Sequence, residues 1–182
     1  SSRNVCFSIF LKFVEKYKIP VVVSYLGIDM IEDNHPCYTG RIGTKGTRAG
    51  NLAIQNSDLI IAIGTSLPVA ETGFEHNTFA REAKIVVVDT DLSSHKKKTI
   101  KIDYLIKEDA KKFIHKISGL LKTKKLSSNK DGLRTCVGWR KKYPIVSAEY
   151  YNKTGLVNPY VLVDVLSSAA TSEDIINPCC AG

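Results

Sequence analysis

Two short apolar runs constrain the fold of this chain more than any other feature. The first covers residues 59–63 and stops at Gly64, and the second covers residues 85–88 and stops at Asp89. Neither run alternates with polar residues, which is typical of strands whose two faces are both covered. We therefore predict two neighbouring strands in an α/β fold: a doubly wound, parallel, three-layer Rossmann-like sheet.

The residues at the ends of these runs predict a ligand-binding edge. In open parallel sheets, ligands bind outside the carboxyl ends of the strands, where Gly64 and Asp89 would lie. Glycine lets backbone approach a ligand closely, and an aspartate accepts hydrogen bonds from ribose hydroxyls. The pattern indicates a nucleotide-type pocket but specifies no reaction.

A glycine-rich loop precedes the first run. Gly40, Gly43 and Gly46 fall within seven residues, and the spacing that follows predicts a short helix beginning near Thr47. Such a loop would present free backbone N–H groups at a helix N-terminus, where anions bind. The spacing matches neither the dinucleotide fingerprint nor a Walker loop, so a plain tight turn is an equal alternative.

Composition changes along the chain predict its organisation. A helical stripe over residues 5–17 leads into a strand at 21–23; because a doubly wound unit normally opens with a strand, we expect residues 1–122 to lack their first one. Helices are also predicted over 71–81 and 110–121. The polar stretch 123–147 is interpreted as a linker, and 148–182 as the truncated start of a second domain, whose helix begins at Asn158 and Pro159.

Composition narrows the function classes. The net charge of +8 is concentrated in residues 96–142, and we interpret it as solvated helix surface in preference to a nucleic-acid patch, because aromatic residues do not interleave with the lysines. Neither a membrane span nor a secretory leader is visible, so we expect a cytoplasmic protein. The five cysteines and four histidines show no metal-ligand spacing, so we expect reduced thiols and no metal site.

Taken in order, several segments resemble one family. They are residues 19–22, His35 to Gly46, 57–60, 79–84, 89–91, Trp139 with Tyr143 and Pro144, and 157–168. Together they resemble thiamine diphosphate-dependent enzymes of the acetolactate synthase type, with the family's central domain followed by the start of its C-terminal domain. The resemblance implies a Rossmann-like fold and a parent enzyme, a lyase or transferase, that decarboxylates a small 2-keto acid and ligates the product as a homodimer or homotetramer.

The resemblance also implies what this chain lacks. In the family, flanking domains hold thiamine diphosphate and Mg²⁺, partly through a Gly-Asp-Gly motif that does not occur in these residues. The cofactor supplies the chemistry. We therefore assign no catalytic and no metal-binding residue, and we expect this chain alone to be inactive. Residues 177–182 depart from the family pattern, since a proline and adjacent cysteines stand where a strand is expected.

The central domain of acetolactate synthases carries FAD, and the resemblance transfers its contacts to six residues of this chain: Gly43, Gly46, Gly64, Thr65, Asp89 and Asp91. Two positions depart from the family. Lys45 stands where a histidine is usual, and Ser66 stands where an arginine is usual, which removes a cationic contact. FAD, another nucleotide and an empty pocket therefore all stay open. The alternative function is a free-standing nucleotide-binding (FAD, ADP or NAD) or regulatory module.

Overall fold

The computed structural model describes residues 2–97, 99–123, 128–152, 154–171 and 173–176. The chain divides into two compact units, residues 1–142 and residues 143–182. We describe each unit by itself.

The described residues of the first unit form five parallel strands in two groups. Strands β1 and β2 pair with each other, and β3, β4 and β5 form a second group in that order. The bounds are β1 Val21–Val23, β2 Tyr38–Arg41, β3 Leu59–Ile63, β4 Lys84–Asp89 and β5 Tyr104–Lys107. The prediction of two neighbouring parallel strands is confirmed, because every residue of β3 is paired in parallel with a residue of β4.

Helices or 3₁₀ turns stand between successive strands, so that strands and helical segments alternate as in a Rossmann-like fold. The first unit has α1 Ser2–Tyr17, α2 Arg48–Gln55, α3 Val69–Thr72, α4 Ala110–Thr123 and α5 Lys130–Lys142, with 3₁₀ turns at Tyr25–Met30, His76–Thr78 and Ser93–Lys96. The predicted start of α2 is confirmed, since the Thr47 hydroxyl caps the helix by accepting from the Gly50 N–H at 3.1 Å. The α/β, Rossmann-like fold class is therefore confirmed.

Two apolar clusters lie on opposite faces of the strands. One cluster combines α2 with β3 and β4, and is formed by Ile42, Ile54, Ile60, Ala62, Leu67, Phe79, Ala80, Ile85 and Val87. The other combines α1 with β1 and β2, and is formed by Val14, Val21, Val23, Ile31, Cys37 and Tyr38. Because successive side chains of a strand point to opposite faces, β1 takes part in both: Val21 and Val23 belong to the second cluster, and Val22 packs against the first.

The structure corrects the expected helix over residues 71–81. Helix α3 ends at Thr72, and a 3₁₀ turn at His76–Thr78 follows. Gly73 has φ +80°, which an α-helix does not accommodate, and its N–H closes the helix by donating to the Val69 carbonyl at 2.8 Å. The chain therefore reaches β4 through turns.

Residues 130–142, expected to be linker, form the packed helix α5. The Arg140 guanidinium donates to the carbonyl oxygens of Asp33 and Tyr38, at 3.1 and 2.7 Å, and so joins α5 to the segment that enters β2. Leu133 packs against the α1 cluster. The first compact unit therefore extends to Lys142. The assignment of 148–182 to a further domain stays a prediction.

In the second unit, the part of the chain that the structure describes forms the helices α6 Ala148–Tyr151 and α7 Pro159–Ala169. The predicted start of α7 is confirmed: the Asn158 side chain accepts from the Tyr160 N–H at 2.9 Å, and Pro159 occupies the first helical position. The apolar side chains of α7, among them Leu162 and Leu166, are about half exposed. Residues 177–182 lie outside the described residues.

Candidate functional site: the carboxyl edge of β3 and β4

The backbone at the end of β3 is open. Ile63 pairs with Val88 of β4, and the next N–H, that of Gly64, donates to the Val88 carbonyl at 2.9 Å. Gly64 has φ +64°, a left-handed conformation that glycine adopts without strain. A Cβ built on Gly64 would meet no atom within 4 Å. The strand therefore ends with its backbone facing free space.

Asp89, the last residue of β4, lies beside this opening. One of its carboxylate oxygens accepts from the Asp91 N–H at 3.0 Å, and the other lies 3.1 Å from Nε2 of His95. The Asp91 N–H, followed by the contact with His95, lowers the pKa of Asp89. The ring of His95 is 1% exposed, so Asp89 is held in one orientation as an anion.

Asp91 continues this edge into the next turn. Its carboxylate accepts from the backbone N–H and the hydroxyl of Ser93, at 2.8 and 2.7 Å, and these bonds lower its pKa. The structure therefore brings Gly64 and Asp89 to one edge, as predicted from the sequence, and Asp91 follows two residues after β4 ends. Each carboxylate oxygen retains a lone pair with which it can accept a ligand hydroxyl.

Thr65 is hydrogen-bonded to Glu71, a residue that the sequence analysis did not identify. Its hydroxyl donates to Oε2 of Glu71 in α3 at 3.0 Å and accepts from the Leu67 N–H at 3.2 Å. Burial raises the pKa of Glu71, an effect that the Thr65 hydrogen bond partly offsets. Thr65 therefore fixes the turn between β3 and α3, and its hydroxyl proton is already engaged.

The glycine loop, residues 42–47, is closed by internal hydrogen bonds. The Gly43 N–H donates to Oδ1 of Asn51 at 2.9 Å, and Nδ2 of Asn51 donates back to the Gly43 carbonyl at 3.0 Å. The N–H groups of Thr44, Gly46 and Thr47 donate to the carbonyls of Ala70, Gly43 and Arg41, each at 2.9 Å. The expectation that this loop presents free N–H groups is wrong for these four donors.

The glycines of this loop are required by packing. A Cβ on Gly43, where φ is +95°, would lie 2.2 Å from the Ala70 carbonyl oxygen, and one on Gly46 would lie 2.6 Å from the Arg41 carbonyl oxygen. Real Cβ atoms do not approach so closely, so backbone would have to move. The observed contacts match the tight-turn alternative.

Three residues that support this site escaped the sequence analysis. Asn51 follows the predicted helix cap by four residues, so a side-chain bond back to the loop was a recognisable possibility. Glu71 and His95 belong to no motif, and their roles depend on which segments the fold brings against Thr65 and Asp89. Sequence alone carried no signal for those two.

The described residues offer little for covalent or metal chemistry. Among them, no group of three or more His, Cys, Asp or Glu side chains could hold a metal ion. Burial raises the pKa of the Cys37 and Cys136 thiols, which are not disulfide-bonded, so both thiols are neutral at physiological pH. No helix in the described part of the chain is long and apolar enough to cross a membrane.

Comparison with known proteins identifies the family. A family profile described as "Thiamine pyrophosphate enzyme, central domain" matches residues 3–117. The large subunit of acetolactate synthase from Buchnera aphidicola subsp. Schizaphis graminum is 31% identical over 155 residues, which cover 85% of this chain and 26% of that protein. The probable large subunit from Methanococcus aeolicus is 35% identical over 107 residues, covering 59% and 18%.

A third relative, the isozyme 2 large subunit of acetolactate synthase from Escherichia coli (strain K12), is 36% identical over 80 residues, covering 44% of this chain and 14% of that protein. The chain thus spans about a quarter or less of the length of these relatives. The profile match covers the five strands, the glycine loop after β2 and the turn between β3 and α3. This chain therefore belongs to the thiamine pyrophosphate enzyme family, through that family's central domain.

Proposed function

We propose that this chain serves as the central domain of an acetolactate synthase-like enzyme, in which it supplies a ribose-binding edge and no catalytic group. The observation that carries the proposal is the coincidence of the family match over residues 3–117 with a sheet edge where Gly64 and Asp89 lie side by side. In the parent, thiamine diphosphate with Mg²⁺ supplies the chemistry, a small 2-keto acid is the substrate, and the assembly is a homodimer or homotetramer.

The edge fits one part of a nucleotide and not another. Asp89 and Asp91 are oriented anions beside open space, which suits the hydroxyls of a ribose, a group shared by FAD, ADP and NAD. The glycine loop does not suit a diphosphate, because the N–H groups of Gly43, Thr44, Gly46 and Thr47 are already bonded within the protein. Ser66 adds no positive charge.

Because the edge suits a ribose and the glycine loop does not suit a diphosphate, we expect weak nucleotide binding that depends on the ribose. A nucleotide bound through its hydroxyls alone, with its phosphates in water, has a dissociation constant in the millimolar range, equivalent to about 4 kcal/mol. Adenosine and ADP should bind with similar affinity, since the diphosphate finds no free donor in the loop. 2′-Deoxyadenosine should bind less tightly than adenosine.

Nuclear magnetic resonance titration of the whole chain tests the site. Adenosine should shift the amide signals of Gly64 and Asp91, and Asp89→Asn should weaken binding about tenfold, because it replaces an anionic acceptor with a neutral one. Asp103→Asn is the matched control: Asp103 also accepts a backbone N–H, that of Ile85 at 2.9 Å, but at the opposite end of β4. Equal loss in both variants would contradict the assignment.

Two measurements separate this function from the alternative of a free-standing nucleotide module. Micromolar binding of FAD, ADP or NAD by the chain alone would favour the module. An assay of pyruvate decarboxylation with added thiamine diphosphate and Mg²⁺ should detect no CO₂, because this chain lacks the family's cofactor-binding motif. Turnover by the purified chain would refute the proposal.

A further inference from the structure

A positively charged groove runs along one face of α5. It has a volume of about 430 Å³, and its cationic lining consists of Lys18, Lys130, Arg134 and Lys141. No acidic residue is among the described residues that line it. Lys18 precedes β1, so this end of the groove lies at the amino edge of the strands. We call it the α5 groove; no residue of the carboxyl edge described above lines it.

The centre of the α5 groove is apolar. Leu133, Val137 and Gly138 complete its lining. Positions 130, 134, 137, 138 and 141 recur at the spacing of one helical face. This face extends about 16.5 Å along the helix axis, with cations toward both ends and Val137 between them. The groove therefore offers an apolar floor between positive charges.

The cations of the groove are available to an anion. Within the described residues, the ammonium groups of Lys18, Lys130 and Lys141 form no ion pair. Arg134 pairs with Asp131 at 3.0 Å, but the two side chains are 81% and 86% exposed, so water weakens their attraction. An anionic ligand can therefore replace the contact with Asp131 at little cost.

Two residues of the groove are unfavourable for their local structure. Lys18 has φ +56° directly after α1, a left-handed position at which helices commonly end with glycine. Gly138 stands inside α5, where glycine lowers helix stability, and a Cβ built there would meet no atom within 4 Å. Helix termination does not explain the lysine, and packing does not explain the glycine. Residues that oppose local preference are typical of functional sites, and these two line the same groove.

We propose that the α5 groove binds a small, water-soluble amphipathic anion, in which a phosphate or carboxylate group is attached to an apolar body. The volume of about 430 Å³ is within the range of small-molecule sites. The lysines and Arg134 bind the anionic group, which a guanidinium can hold through two parallel hydrogen bonds. The apolar body covers Leu133 and Val137, and the bare face of Gly138 lets it lie against the helix backbone.

Nuclear magnetic resonance titration of the whole chain with octyl phosphate, kept below the concentration at which it forms micelles, tests this proposal. Octyl phosphate should shift the amide signals of Leu133, Val137 and Gly138 and leave those of Gly64 and Asp91 in place. Inorganic phosphate lacks the apolar body, and octyl glucoside lacks the charge. Each should bind roughly tenfold more weakly than octyl phosphate.

Variants of the groove lysines separate binding from stability. Lys18→Gly removes a cation and places glycine at a positive φ, so it should weaken octyl phosphate binding about fivefold while raising the urea midpoint. Lys130→Gln should weaken binding by a similar factor and leave the midpoint unchanged. Lys112→Gln is the matched control, because Lys112 is an exposed lysine near the start of α4 and does not line the groove. It should leave the affinity unchanged.

Several results would overturn the proposal. Absence of shifts at Val137 and Gly138 would exclude the groove as the site. Binding of inorganic phosphate or octyl glucoside as tight as that of octyl phosphate would mean that charge alone, or apolar surface alone, determines binding. Equal losses in Lys130→Gln and Lys112→Gln would mean that net charge acts without the groove. Cosedimentation with phosphatidylcholine vesicles containing phosphatidic acid, lost in Lys130→Gln, would assign the groove to a membrane surface.

Discussion

The turns after β2 and β3 use the same residue type for opposite purposes. Gly43, after β2, is enclosed, and the space where a side chain would go is filled by the Ala70 carbonyl. Gly64, after β3, has a positive φ as well, but the same space is empty. A glycine at the carboxyl end of a parallel strand therefore indicates a conformational need, and the surrounding packing decides whether a ligand can approach.

The largest expected effect is a difference in the free energy of unfolding between alanine variants of these two glycines. Gly43→Ala should lower the free energy of unfolding by about 3 kcal/mol, because the new Cβ meets backbone and the residue adopts an unfavourable φ. Gly64→Ala should cost about 1 kcal/mol, the strain of a left-handed residue in open space. Urea unfolding of both variants measures the difference. Equal losses would show that the two turns are not packed differently.

The closure of the glycine loop is tested through Asn51. Asn51→Ala removes both reciprocal bonds to Gly43, and we expect a loss of about 2 kcal/mol because the loop donor and acceptor are left partly buried without partners. Asn56→Ala is the matched control, since its side chain makes an exposed bond to the Leu52 carbonyl at 2.8 Å. Urea midpoints that fall equally in the two variants would argue against a closed loop.

The two turns also differ in how far their geometry could be predicted. The strand ends at Gly64 and Asp89 follow from apolar runs and were confirmed, because an apolar run that stops at a glycine or an aspartate is a clear sequence pattern. Whether the N–H groups of the glycine loop are free could not be predicted, because this depends on Ala70, which belongs to a distant segment that the fold brings into contact with the loop. Local spacing gives the start of a helix such as α2, but it does not reveal which tertiary contacts use the loop donors.

Contacts between distant segments also explain why the helix α5 forms part of the first unit, where a linker was expected. Its sequence is polar, and its position on the domain depends on Arg140 finding the carbonyls of Asp33 and Tyr38, about a hundred residues earlier. Burial, followed by the neighbouring Asp33, raises the pKa of the Tyr38 phenol to about 12. Composition identifies segments that cannot form a core of their own, and such segments can still pack on another core.

Glu71, which joins the open turn to α3, should give a smaller effect with a defined pH dependence. Its pKa is raised in the folded protein by burial, so the unfolded chain ionises first, and stability falls as pH rises from about 4.3, the ordinary glutamate value, through the folded pKa. Glu71→Gln cannot ionise and should lose this decline while still accepting from Thr65. Denaturant unfolding at several pH values compares the two proteins. A parallel decline in both would exclude Glu71 as its source.

The smallest expected effect is the pH dependence of stability that Asp89 contributes, which is opposite in sign to that of Glu71. The pKa of Asp89 is lowered, chiefly by the Asp91 N–H, so its contribution to stability is full above the ordinary aspartate value of about 3.9 and is lost as pH falls through the folded pKa. Asp89→Asn should therefore be less stable than the wild type at neutral pH and should match it more closely in acid. Its carboxylate is 18% exposed, so water limits the size of the change. If Asp89→Asn and Glu71→Gln altered the pH profile in the same direction, the contrast between the hydrogen-bonded anion of Asp89 and the partly buried carboxyl of Glu71 would fail.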